Sequence, residues 1–104
     1  MIFHITPRER WSASQRDGLH TGSTLGRELA DEGFIHCSTT EQTPATLVRF
    51  YAGVPDLVIL HVDEELLESP LVYEALHGAT EPFPHVYGPI NLRAVVRVEP
   101  VTPS

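Results

Sequence analysis

The longest uninterrupted apolar run in this chain is Leu57-Val58-Ile59-Leu60. It is far too short to cross a membrane, which takes about 20 apolar residues. With its flanks it predicts a strand over Asp56–Asp63, apolar on both faces. Such a strand has to lie inside a sheet, covered on each side. The rest of the chain must therefore supply both neighbouring strands and covering layers.

The 104 residues provide room for one core, a single domain over residues 1–104. A chain of this size buries roughly two-thirds of its unfolded surface, enough for stability without covalent staples. The one cysteine, Cys37, excludes an intrachain disulfide and any zinc site needing several thiolates. A reducing cytoplasm fits that usage. No basic stretch followed by an apolar run marks a signal peptide at Met1–Thr6. Seven basic residues against 14 acidic ones give a net charge of −7. That field repels nucleic acid and anionic membranes, so neither is an expected partner.

Met1–Thr6 reads as a strand with Ile2, His4 and Thr6 on one face. Pro7–Arg16 is expected to be a short helix carrying Trp11, and Thr24–Glu32 a second one, closed by Gly33. Gly33–Ser38 is a strand with Phe34, His36 and Ser38 on one face. The segment Ser38–Gln42 offers two overlapping capping boxes, Ser38 with Glu41 and Thr39 with Gln42, for a helix that runs to about Ala52. Leu71–Ala75 is a further strand, residues 77–84 a loop, Val86-Tyr87 a brief strand, and Arg93–Val98 the last strand before Pro100 and Pro103.

Two strands share a His-x-hydroxyl pattern, His4-Ile5-Thr6 and His36-Cys37-Ser38. Spacing of two puts imidazole and hydroxyl on the same face, where they can bond sugar hydroxyls or phosphate oxygens. The plainer alternative is a satisfied core histidine and a helix-capping hydroxyl, Ser38 above all. The pattern leads us to expect the His4 and His36 rings in one cavity. In Phe83-Pro84-His85-Val86-Tyr87-Gly88-Pro89, prolines stiffen a loop presenting an imidazole and a phenol, which suits ligand recognition. Glu74 stands among apolar strand residues and needs a partner. Arg49 is the natural candidate, either as a structural ion pair or as a fellow pocket residue. His20 and His77 are expected in solvated loops, and His61 in the core or at an edge. Cys37 points away from His36 and reads as a small buried apolar residue rather than a nucleophile.

Together Ile2–Thr6, Trp11, Glu32–Thr39, Arg49–Tyr51, Glu74 and Phe83–Pro89 resemble a bacterial family, the domain of unknown function 952. The resemblance spans nearly the whole chain and carries no established activity. That family is in turn distantly similar to the ADP-ribosyltransferase fold, especially its histidine–histidine branch, which includes RNA phosphotransferases that consume NAD. The resemblance implies an α+β fold: a split, mainly antiparallel sheet of about six short strands with two or three helices. It implies a small-molecule nucleotide as ligand, with NAD as a substrate rather than a resident cofactor. In an enzyme of that kind His4 and Thr6 would orient a ribose, and His36 would bind near the scissile bond. The third position falls to Glu74, which would polarise a ribose hydroxyl, or to the His85–Tyr87 segment. Ser38, Arg49, His85 and Tyr87 would complete the ligand contacts. Two other classes stay open: a non-catalytic binding or interaction module, and a metal-dependent hydrolase built on His4, His36, His85 and Glu74. No metal-ligand spacing supports the second.

Overall fold

The computed structural model describes residues 1–76 and 78–101. His77 and Pro103 lie outside the described residues. Elements follow in the order β1 (Ile2–Pro7), α1 (Arg8–Asp17), β2 (Leu19–His20), α2 (Leu29–Glu32), β3 (Ile35–His36), α3 (Thr43–Tyr51), β4 (Leu57–Val62), β5 (Leu71–Glu74), β6 (Phe83–Val86), β7 (Ile90–Asn91) and β8 (Val95–Pro100). A 3₁₀ turn, Leu92–Ala94, leads into β8.

The apolar run forms β4, which lies between β1 and β8 in an antiparallel sheet. Its two faces meet two clusters. Val58, Leu60 and Val62 pack with Ile2, Trp11, Ile35 and Val86. Leu57 and Ile59 pack with Ile5 and Tyr51, the latter brought by α3. A second antiparallel sheet has the order β3-β6-β5, and β2 pairs with β7. An isolated bridge between Phe3 and Ser38 joins β1 to the segment after β3. The fold is thus α+β with divided, antiparallel sheets. No helix among the described residues is long and apolar enough to cross a membrane.

Several boundaries differ from the sequence reading, and the strand expected over Gly33–Ser38 is confined to Ile35–His36. The helix expected over Thr24–Glu32 is reduced to its last four residues. Arg10 holds the preceding loop in another shape, its guanidinium on both Glu28 oxygens at 2.9 and 2.7 Å and on the Thr21 hydroxyl at 2.8 Å. Glu28 and Asp31 form the capping box, and Gly33 closes the turn at φ +87°. Of the two boxes expected before α3, Thr39 and Gln42 form one reciprocally, at 3.0 and 3.3 Å, while the Ser38 hydroxyl turns to Thr46.

Another difference shapes the site. Phe83 and Pro84 were expected in a loop, yet they open β6, the middle strand of its sheet. A central proline removes a ladder donor and is ordinarily excluded. Here the loss falls on the Cys37–Pro84 pair, one residue past the end of β3. The Cys37 N–H still donates to the Pro84 carbonyl at 3.0 Å. The last strand likewise starts two residues later than expected, after the 3₁₀ turn.

Candidate functional site

His36 and His85 are direct partners in the β3–β6 ladder, so their side chains rise from the same face of the sheet. Their rings meet edge to face with centroids 5.1 Å apart. Two residues back on β3's side, Phe34 supports both: its ring stacks on His85 at 4.2 Å and meets the edge of His36 at 4.7 Å. Tyr87 leans on the same phenyl at 5.4 Å.

Each histidine carries a carboxylate. Glu32, on the last turn of α2, lies 3.0 Å from His36 Nε2. Burial alone would raise its carboxyl, but hydrogen bonds from the Thr24 hydroxyl and N–H and from His36 outweigh burial and hold it down to about 2. Glu74, on β5, bonds His85 Nδ1 at 2.9 Å and accepts the Tyr87 hydroxyl. The Tyr87 bond, then the His85 bond, lowers the Glu74 carboxyl below its ordinary range. Both carboxylates are therefore ionised at neutral pH. The bond to Glu74 also fixes the orientation of the His85 ring, a common use of a carboxylate behind an imidazole.

Of these groups His36, Glu74 and His85 open into a cleft of about 440 Å³. His36, Glu74, His85 and Phe83 line it, Thr24 closes one end, and Arg49 and Phe50 come from α3. The Arg49 guanidinium sits 5.0 Å over the Phe50 ring. Arg49 and Glu74 thus share the cleft, while Glu74 is partnered by His85 and Tyr87. Within the described residues no group of three His, Cys, Asp or Glu side chains is placed to hold a metal ion.

His4 is placed differently from expectation. It is 1% exposed and does not line the cleft. Its Nδ1–H donates to the His36 carbonyl at 2.6 Å, and its ring meets His20 at 4.9 Å. The shared-cavity expectation fails because Ile2, His4 and Thr6 face the core filled by α1 and the second sheet. Thr6, at 2% exposure, is likewise removed from any ribose. His20, expected in a solvated loop, is fully buried in β2 with Nδ1 2.7 Å from the Ser14 hydroxyl. Burial pushes His4 down to about 4 and His20 to about 2. Cys37 is buried and burial pushes its thiol up, in keeping with an apolar role. His61 lies beside the edge strand, 2.8 Å from Glu99.

Glu32, Phe34 and Thr24 are not among the candidate site residues that the sequence offers, whereas Phe83 stands in the segment that it does offer. Glu32 had a legible signal, a carboxylate four residues before His36. Phe34 had another, its place on the face of His36.

The architecture and cleft define a small α+β protein with a cleft lined by histidines and a carboxylate. The family described as "Protein of unknown function (DUF952)" matches residues 5–98, and the chain belongs to it. Among solved structures it is similar to the crystal structure of protein CC0527 from Caulobacter crescentus, with a TM-score of 0.86 and 33% identity over 99% of this chain and 87% of that one. The solution NMR structure of CC0527 matches with a TM-score of 0.82 and 33% identity, covering 99% and 85% of the two chains. No curated protein matches the chain.

Proposed function

We propose that the cleft binds a nucleotide of the NAD or ADP-ribose type, as the likeness to ADP-ribosyltransferases suggests, and acts on its glycosidic bond by transfer or hydrolysis in the cytoplasm. The observation that carries this reading is one cleft lined by His36, His85, Glu74 and Arg49, in which each histidine is bonded to a carboxylate, Glu32 or Glu74. Its volume of about 440 Å³ lies in the range of small-molecule sites. Arg49 supplies a cation for phosphate, and its planar fork suits that partner. Phe50 and Phe83 supply apolar walls for a base. In this reading the Glu74 carboxylate, which lines the cleft, faces the ribose as its glycosidic bond breaks, and a fixed anion lowers the energy of the positive charge that develops there. In this reading Glu74 accepts a ribose hydroxyl and His36 binds near the scissile bond.

A thermal melt tests the reading. A ligand that binds only the folded state stabilises it by about 2.7 kcal/mol at a hundredfold excess over its Kd. For a domain of this size that raises Tm by roughly 10–20 °C. We expect this shift with ADP-ribose or NAD, its loss in His36→Ala and His85→Ala, and its retention in His61→Ala. A folded protein that no nucleotide stabilises contradicts the reading. Single-turnover incubation with NAD separates an enzyme, which releases nicotinamide, from a module that binds without turnover.

A further inference from the structure

β8 is the last strand of its sheet and pairs on one side only, with β4. Val96, Arg97, Val98 and Pro100 are exposed along it, the two valines by 50% and 37%. The Val101 N–H bonds the Leu57 carbonyl. Backbone groups alternate sides along an antiparallel strand. Those of Glu99 and Arg97 therefore also turn inward to β4, and those of Val98 and Pro100 turn outward. An open edge of this kind is a template for another strand. Two features keep it short. A register shift opposite His61 and Val62 interrupts it at one end, and Pro100, with no N–H to offer, limits the other.

The charges on β8 are self-complementary. Arg97 and Glu99 stand two apart, on the face of their partners His61 and Ile59. Glu99 bonds His61 at 2.8 Å, whereas Arg97 has no carboxylate partner among the described residues. A second β8 laid antiparallel, about a two-fold axis at Val98, sets each Arg97 opposite the other copy's Glu99. The two Val98 residues then meet and exchange both backbone bonds. Moving the axis to Arg97 or to Glu99 sets like charges directly opposite, which is destabilising.

We propose that β8 is a dimer edge, on which a second copy of this chain pairs antiparallel about Val98 and joins the two β1-β4-β8 sheets into one. The contact is isologous and closes on itself, so it ends at two chains instead of growing into a fibre. An edge of this length buries little area, which places the dimer in the weak class, with Kd roughly micromolar to millimolar.

Sedimentation equilibrium from about 10 µM to 1 mM reads the state, in about 0.15 M salt, where the net charge of −7 on each copy is screened beyond about 8 Å. The wild type should move from one chain towards two. Arg97→Glu and Glu99→Arg should each stay monomeric, because each sets like charges across the axis. Mixed in equal amounts they should form a heterodimer, since every charge then faces its opposite. If Glu99→Arg fails to fold, Val98→Pro takes its place. It leaves the ladder to β4 intact, removes the two central N–H donors of the dimer, and should be monomeric. Four results overturn the proposal: a wild type monomeric at 1 mM, an Arg97→Glu chain that dimerises as the wild type does, folded charge variants whose mixture stays monomeric, or a folded Val98→Pro chain that still dimerises.

Discussion

At the residue scale His4 is the position where sequence and structure part most instructively. Its pattern on β1 suggested contact with ligand. Its place in the fold makes it a prop, bonded to the carbonyl of the histidine that does face the cleft. Replacing it with alanine removes a buried ring and leaves the His36 carbonyl without that donor. We expect a loss of about 2–4 kcal/mol in denaturant unfolding. Its protonation gives a second prediction. The His4 pKa falls from 6.5 to about 4 on folding, by burial above all, and that of His20 to about 2. Between 6.5 and about 4 the unfolded chain therefore binds more protons than the folded one. Stability is whole above that window and declines as pH falls through it, by up to about 1.4 kcal/mol per pH unit for each histidine. Unfolding midpoints measured across the window should fall with acid. In His4→Gln, compared at the same pH values, the slope should be shallower.

At the element scale, short loops and strands aim the site. Arg10 of α1 fixes the segment from Thr21 to Glu28, which delivers Thr24 to the cleft and starts α2, which delivers Glu32 to His36. Arg10→Met should therefore speed hydrogen exchange in residues 21–33 by about tenfold or more, with the amides of β4 unchanged, and should weaken ligand binding. Equal loosening of β4 would mean that Arg10 supports the whole fold rather than this arm. The sequence showed β1, β4 and β5 well, because two-residue periodicity or a doubly apolar strand leaves a direct trace. It showed α2 poorly, since side-chain bonds from Arg10 and Glu28 shape that loop more than helix propensity does. It hid Phe83 and Pro84 in β6 because local rules forbid proline in a central strand. Only the early end of β3 removes the objection.

At the scale of the whole molecule, β4 organises the fold and the β3-β6-β5 sheet contributes His36, Glu74 and His85 to the cleft. His36, Glu74, His85 and Arg49 were readable as candidates. Their grouping was expected too, but with His4 in it; the pairing of His36 with His85 and of His85 with Glu74 was not legible, since it depends on the β3–β6 and β5–β6 registers that bring three strands together. The net charge of −7 sets one further expectation. Affinity for an anionic nucleotide must come from Arg49 and local hydrogen bonds, so raising salt from about 0.05 to 0.2 M should change Kd only a few-fold. A steep salt dependence in a calorimetric titration would point to a broad electrostatic surface instead. The central claim, that the cleft lined by His36, Glu74, His85 and Arg49 is the ligand site, is tested most directly by mapping amide shifts on addition of ADP-ribose. The account predicts perturbations concentrated at His36, Arg49, Phe83 and His85. Saturating ligand that leaves these signals in place, or moves instead those around the groove of His61 and Glu99 on the other side of β4, contradicts it.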